Sequence, residues 1–155
     1  MSLANDYKGI SDRVTVIAAT TGNKTDKIRV AAYCRVSTDK TDQVNSFITQ
    51  MRYYTDYIKS NPKMILIDIY ADEGLSGTQA AKRDDFLRMI KDCEKGKIDY
   101  IITKSVARFA RNTVDALKYV RKLKAMGIGV YFEEQCLDSL KSESELALGI
   151  YSVLA

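Results

Sequence analysis

Twice along this chain a hydroxyl and guanidinium groups fall together where an apolar run gives way to polar residues. The first is Tyr33-Cys34-Arg35-Val36-Ser37-Thr38, which follows the apolar stretch opening at Ile28. An extended chain alternates its side chains, so Arg35 and Ser37 should point to the same side. A serine hydroxyl alone is a poor nucleophile, but cations around a bound phosphate stabilise the anionic transition state that its attack creates. By itself Arg-Val-Ser reads better as a solvated turn than as a site. The second place is Lys104-Ser105-Val106-Ala107-Arg108-Phe109-Ala110-Arg111-Asn112-Thr113. Arg108 and Arg111 are three apart, so on one helical turn they would share a face, each fork able to hold two phosphate oxygens. Phe109 and Ala110 between them predict a partly packed site. From Lys104 to Lys124 there are seven Lys or Arg against one acid, Asp115, whereas Glu133 to Glu145 holds five acids and one lysine. Such segregation implies an oriented field. Lys118, Arg121, Lys122 and Lys124 are better read as the wet face of a helix.

The composition removes several chemistries. With no histidine in the chain, Ser-His-Asp and Cys-His catalysis, imidazole bases and His-ligated zinc are excluded. Cys34, Cys93 and Cys136 stand far apart in no metal-binding spacing, which predicts free thiols in a reducing cytoplasm. Cys34 and Cys93 are expected to be small buried hydrophobes or inert surface thiols. Asp68, Asp72 and Glu73 are the only acids near the second strand that could approach Ser37, and loop capping or subunit contact suits them better than a metal. No cofactor is expected. Tyr53, Tyr54 and Tyr57 could suggest a tyrosine nucleophile, but core or interface packing is the better reading. No stretch approaches the roughly 20 apolar residues of a membrane helix, so no membrane partner is expected. The net charge of +4 tolerates a polyanion without proving one.

These groups must be positioned by the elements between them. At 155 residues and 46% hydrophobic the chain suits one core. Residues 1–27, with one apolar patch at Val14 to Ala19, read as an N-terminal extension. A first strand opens at Ile28, and Ser37 to Asp42 break the pattern. From Gln43 to Ser60, Val44, Phe47, Ile48, Met51, Tyr54 and Ile58 recur at helical steps, and Asn61-Pro62 ends that helix. Met64 to Tyr70 reads as a second strand and Ala71 to Lys82 as a mobile surface loop. Asp84 or Asp85 should cap a helix reaching Lys95, with Phe86, Leu87 and Ile90 inward and Gly96 closing it. Ile98 to Thr103 is a third strand. Asn112 or Thr113 should cap a helix whose Val114, Leu117, Val120 and Leu123 face the core before Gly127. Ile128 to Phe132 is a fourth strand, and Leu146 to Leu154 reads as a helix that continues past Ala155. Alternating strands and helices predict an α/β fold with a largely parallel sheet of four to five strands, flanked by helices, and functional loops at the carboxyl ends of the strands.

Three segments in this order, Tyr-Cys-Arg-Val-Ser-Thr, then Glu73-Gly74-Leu75-Ser76-Gly77-Thr78 with Arg83, then Lys104 to Thr113, resemble the catalytic domain of serine recombinases of the resolvase and invertase type. The longer first helix is most similar to the large serine recombinases and transposon integrases. The resemblance covers about Ile28 to Ala155. It implies residues 28–145 as the catalytic domain and 146–155 as the start of a long oligomerisation helix. It implies Ser37 as the nucleophile that cuts and rejoins DNA through a 5′-phosphoserine, without metal or ATP. Arg35, Arg83, Arg108 and Arg111 would then surround the scissile phosphate. Gln50, with Gln43 as a second, would lie near the site, and Lys104 in the same cationic segment. The implied partners are DNA and further copies of the chain, from dimer to tetramer. Some members carry an aspartate just before the arginine matching Arg108; here that residue is Ala107, which leaves the general acid unassigned. Ala107 also favours the alternative of a catalytically idle, DNA-associated assembly module. The β/α alternation alone would fit a flavodoxin-like ligand domain as well.

Overall fold

The computed structural model of the chain describes residues 26–37, 40–74, 83–141 and 147, without the side chains of 37 and 40–45. Strand β1 (Ile28–Ser37) leads to helix α1 (Lys40–Lys59), and β2 (Met64–Gly74) to α2 (Asp84–Glu94). Next come β3 (Tyr100–Thr103), the single turn α3 (Val106–Phe109), α4 (Thr113–Ala125), β4 (Gly129–Phe132) and β5 (Leu137–Asp138). The strands form one sheet in the order β2-β1-β3-β4-β5. All neighbours are parallel except β4 and β5, so the predicted α/β class holds, with α3 and β5 as additions.

β1 lies inside the sheet, hydrogen-bonded on both sides, and its residues are apolar on both faces because both faces are covered. On one face Ala31, Tyr33, Ile101, Val130 and Phe132 pack against Phe86, Met89, Ile90 and Cys93 of α2, Val106 and Phe109 of α3, and Ala116, Val120 and Leu123 of α4. Phe86 is the hub of this layer: Tyr33, Phe109 and Tyr119 stand edge-on to it at centroid distances of 5.2, 5.2 and 4.9 Å. Such pairs add about 0.5–1.5 kcal/mol each beyond area burial. On the other face Val30, Ala32, Cys34, Ile102 and Tyr131 pack under Tyr54 and Ile58 of α1.

The pairing of β1 with β2 contains a bulge. Val30 pairs with Leu66 but Ala31 pairs with Asp68, which leaves Ile67 over. Side chains alternate with a period of two, so one extra residue exchanges the faces. Met64 and Leu66 lie on the α1 side, whereas after the bulge Ile69 and Ala71 take that side. Tyr70 is thereby turned into the layer of Tyr33 and Phe86.

Several expectations need correction. β1 runs on to Ser37 and β2 to Gly74, so the first part of the expected loop at 71–82 is strand; 75–82 lie outside the described residues. Of the residues expected on the inner face of α1, Tyr54 and Ile58 are buried, whereas Ile48 and Met51 are exposed. In α2 Leu87 is exposed while Met89 and Cys93 are buried, since four positions spaced three, one and three apart complete the inner stripe. Val114 is 75% exposed, and Ala116 takes its place in the core of α4. Asn112 does cap α4, accepting from the Asp115 amide at 2.9 Å. Gly96 and Gly127 end α2 and α4 with φ of 72° and 75°, the left-handed values that glycine takes without strain. The expected extension at 1–27 and helix at 146–155 fall outside the described residues, apart from residues 26, 27 and 147. Among the described residues no helix is long and apolar enough to cross a membrane.

Two measurements follow from this packing. A Cβ on Gly129 would strike the Tyr100 ring and come within 2.9 Å of Leu140 Cδ1, so Gly129→Ala should destabilise by about 1–3 kcal/mol in urea titration. Burial pushes the thiols of Cys34 and Cys93 up to about 12. Nearby carboxylates, Glu133 for Cys34 and Asp92 and Glu94 for Cys93, add to the rise. Thiol alkylation near pH 8 should therefore label exposed Cys136 first and reach the other two only on unfolding. The neutral thiol favours the folded state, so this contribution is complete below pH 9.0 and should be lost as pH climbs towards 12.

Candidate active site

The carboxyl edge of the sheet gathers most of the residues singled out above. Tyr33 pairs with Thr103 across β1 and β3, so the chain ends of both strands, carrying Arg35 and the segment after Thr103, leave the sheet side by side. The buried Thr103 hydroxyl donates to the Tyr33 carbonyl at 3.0 Å and ties the two strands at their last shared pair. Alternation along β1 sets Arg35 on the side of Ala31 and Tyr33, facing the layer of α2, α3 and α4. On the other flank Arg35 pairs with Asp72 and Ser37 with Gly74. A Cβ on Gly74 would make a tight 3.3 Å approach to the Val36 carbonyl oxygen and an ordinary contact of 3.6 Å with Arg35 Nη2. The backbone of Ser37 is thus held at the end of a paired strand, while its hydroxyl lies outside the described atoms.

Ser105 starts the arginine segment as the cap of α3, its hydroxyl accepting from the Arg108 amide at 3.3 Å. That single turn orients the Arg108 side chain, and Nη1 donates to the Arg35 carbonyl at 3.2 Å. Phe109 and Ala110 are buried, as expected, and pin the segment to the core. The helix stops there: Ala110 is extended at φ −134° and ψ 155°. Arg108 and Arg111 therefore do not share a helical turn, contrary to the expectation from their spacing, although both are exposed.

Arg83 joins this edge from the other direction. It is half-buried just before α2, with its guanidinium carbon 3.7 Å from the centre of the Phe86 ring, and Nη2 donates to the Phe109 carbonyl. Stacking on a ring and bonding a carbonyl makes this arginine a tie between α2 and the segment bearing Arg108. Gln50 lies one side of α1 and donates to Ser46 Oγ at 3.3 Å; the side chain of Gln43 is outside the described atoms. Lys104 is exposed and 3.8 Å from Glu134. Ala107 is exposed on α3 and brings no polar group.

Asp72, which the sequence assigns with Asp68 and Glu73 to loop capping or subunit contact, proves to organise the start of α2. Its carboxylate is 7% exposed and accepts three hydrogen bonds, from the amides of Asp85 and Phe86 at 3.0 Å each and from the Tyr33 hydroxyl at 2.9 Å. The helix cap position is Arg83, which offers no capping side chain, so neither Asp84 nor Asp85 caps α2 as expected. A carboxylate from the neighbouring strand satisfies the open amides and meets the positive end of the helix dipole. Burial lifts the Tyr33 hydroxyl to about 12, with Arg83 pulling down and Asp72 pushing up, so it remains a donor. A buried acid thus fixes where α2 begins, and with it Arg83. The readable signal was the absence of any capping side chain in Lys82-Arg83 beside an acid at the end of a strand.

Electrostatically the two ends of the sheet differ. At the amino edge Arg29 is paired with Asp99 at 2.8 Å, and on the flank Arg88 is paired with Asp68 at 2.7 Å and Asp85 at 3.1 Å. Among the described residues Arg35, Arg83 and Arg108 form no ion pair; Arg108 donates to the Arg35 carbonyl and Arg83 to the Phe109 carbonyl. No group of three or more possible metal ligands occurs among the described residues.

A parallel sheet of order 2-1-3-4-5 with an antiparallel edge and its functional loops at the carboxyl ends is a doubly wound α/β domain. A model of the family described as "Resolvase, N terminal domain" matches residues 30–155, and the chain belongs to that family. Among solved structures it is similar to a resolvase family site-specific recombinase from Streptococcus pneumoniae. That likeness has 27% identity and a TM-score of 0.67, covering 83% of this chain and 87% of the other. It is also similar to the N-terminal catalytic domain of TP901-1 integrase, at 25% identity and a TM-score of 0.59 over 81% of this chain and 92% of that one. The C-terminal catalytic domain of ISC1926 TnpA, an IS607-like serine recombinase, shares the fold at 24% identity and a TM-score of 0.55 over 68% and 69% of the chains. No curated protein matches the sequence.

Removing the buried carboxylate leaves two helix amides and a hydroxyl without their acceptor. Asp72→Ala should accordingly cost about 2–4 kcal/mol in denaturant unfolding, and Tyr33→Phe about 1 kcal/mol, because the phenylalanine leaves only one acceptor valence idle.

Proposed function

We propose that this chain is the catalytic domain of a site-specific DNA recombinase in which Ser37 attacks a backbone phosphate. The supporting observation is the set of guanidiniums at the carboxyl edge, Arg35, Arg83 and Arg108, without carboxylate partners among the described residues and at the strand end that carries Ser37. An unmatched cationic edge of this kind favours a bound phosphodiester and stabilises charge that develops on its oxygens. Arg111 follows on the same exposed segment, and Gln50, Gln43 and Lys104 would support the site from α1 and the end of β3.

In the proposed step the Ser37 oxygen forms a bond to phosphorus while the bond from phosphorus to the 3′ oxygen breaks. The serine proton departs and the leaving oxygen gains a proton, giving a 5′-phosphoserine and a free 3′ hydroxyl. Ala107 cannot supply that proton, so an arginine or another polar group has to orient or deliver it. The phosphoserine conserves the bond energy, and attack by a 3′ hydroxyl in reverse rejoins strands without ATP. DNA is then the partner, and exchange between cut sites calls for further copies of the chain in a dimer or tetramer. Phosphate contacts position DNA without reading it, so choice of site belongs to other parts of the protein. Ala107 also keeps in view an idle assembly module on the same fold, which any strand cleavage would exclude.

The decisive experiment incubates the full-length protein with a nicked suicide substrate in EDTA and resolves covalent protein–DNA adducts on a denaturing gel. The wild type should form the adduct and Ser37→Ala should form none. Arg108→Ala should lower the rate of adduct formation roughly 100-fold, the scale of losing one donor to a developing oxyanion. An adduct that persists without the Ser37 hydroxyl, or a wild type that never forms one, would overturn the reading.

A further inference from the structure

The turn that follows β4 makes two sets of bonds in opposite directions. Towards α1, the Glu133 carboxylate receives the Tyr53 hydroxyl on Oε2 at 2.6 Å and the Tyr54 hydroxyl on Oε1 at 2.7 Å. Towards the arginine segment, the Glu133 amide donates to the Thr103 carbonyl at 3.1 Å and the Glu134 amide to the Lys104 carbonyl at 2.8 Å. The Gln135 side chain adds a third bond there, accepting from the Val106 amide at the first turn of α3 at 3.3 Å. The turn is itself closely determined: Cys136 sits at φ 47°, a left-handed value unusual for a residue with a side chain, and its amide closes back on the Glu133 carbonyl at 3.1 Å.

The geometry of the first set matters. Successive residues on a helix project about 100° apart, so two neighbouring tyrosines reach one carboxylate only if the helix is turned to place that carboxylate between them. Their rings stand edge-on at 5.1 Å, which keeps the pair together. Burial, and next the Glu133 carboxylate, push the Tyr54 hydroxyl well above the usual phenol range, so it stays a donor. A rotation of α1 by one residue would break both bonds. Gln50 lies three and four positions before the two tyrosines, on the same flank of α1, and the helix opens at Lys40, three residues after Ser37.

We propose that Glu133 is a positioning residue, the centre of a brace that holds α1, with Gln50 and the chain leading from Ser37, in fixed relation to the segment that bears Arg108. The inference rests on the recombinase reading for its consequence in catalysis, but the brace itself is a statement about which elements move together. It assigns Tyr53, Tyr54 and Gln135 to the same unit. Neither tyrosine nor Glu133 needs to touch DNA.

The test has two arms on the full-length protein. In the first, Glu133→Gln keeps the shape but replaces one acceptor with an amide donor. Adduct formation at saturating nicked DNA should slow about 10- to 100-fold, the scale of a small misplacement of reacting groups, while the DNA concentration for half-saturation stays within about twofold. The paired Tyr53→Phe, Tyr54→Phe variant should show the same loss, and combining it with Glu133→Gln should add nothing, because both remove one set of bonds. If Glu133→Gln does not fold, the paired phenylalanine variant reads the same bonds from the other side. In the second arm, amide hydrogen exchange should quicken together in Gln50 to Tyr54 and in Val106 to Arg108 of the variant. A wild type that forms no adduct counts against the recombinase reading and leaves the second arm to decide the brace. An active wild type matched by its variants, or faster exchange confined to α1, would overturn the brace.

Discussion

Like charges at one edge of a small domain repel, and this architecture depends on bonds that, among the described residues, fix guanidiniums there through carbonyls rather than carboxylates. Arg108 is fixed through the Arg35 carbonyl and Arg83 through the Phe109 carbonyl. Each bond joins a charge to a dipole, which sets direction while leaving the net charge in place. Carboxylates would hold the same side chains more tightly but would cancel the field, as they do for Arg29 and Arg88 elsewhere in the molecule. The carbonyls belong to segments leaving β1 and α3, so the cationic cluster and the cross-links between those elements are the same set of contacts.

Two acids near this edge have their carboxylates occupied by other donors. Asp72 is enclosed and occupied by two amides and a hydroxyl, and Glu133 is directed to two phenols on the α1 side. Both are near enough to organise the arginine-bearing elements, and both have their oxygens engaged in hydrogen bonds from neutral donors. The separation follows from the sheet: Asp72 faces the layer of α2 and α4, and Glu133 serves the layer of α1.

Much of this was legible in the sequence because it is periodic or local. Strand and helix alternation, the stop at Asn61-Pro62, the cap at Asn112 and the packed pair Phe109-Ala110 all depend on neighbours in the chain. The errors arose where a distant residue decides. Periodicity puts Ile48 and Met51 on the inner face of α1 beside Tyr54 and Ile58, yet only the latter two are buried, since the helix is turned by hydroxyls of Tyr53 and Tyr54 that reach a carboxylate 80 and 79 residues away. The start of α2 was given to its own aspartates, whereas the acceptor comes from β2. Arg108 and Arg111 were placed on one turn by spacing alone, and the buried Phe109 and Ala110 end the helix between them. The roles of Ser37 and Gln43 came from the family resemblance, and spacing alone would not have set them apart.

The extra residue at Ile67 divides β2 into halves that answer differently to changes in chain length. Deleting a single amino acid near Ile65 would disturb only the half that meets α1 through Met64 and Leu66, and the bulge could absorb the slip by closing. The same deletion beyond it would present Tyr70 and Asp72 to the wrong side, stranding the open amides of α2 and releasing Arg83. Natural variation in the length of this strand should therefore accumulate ahead of residue 67, with the stretch behind it kept to a strict count.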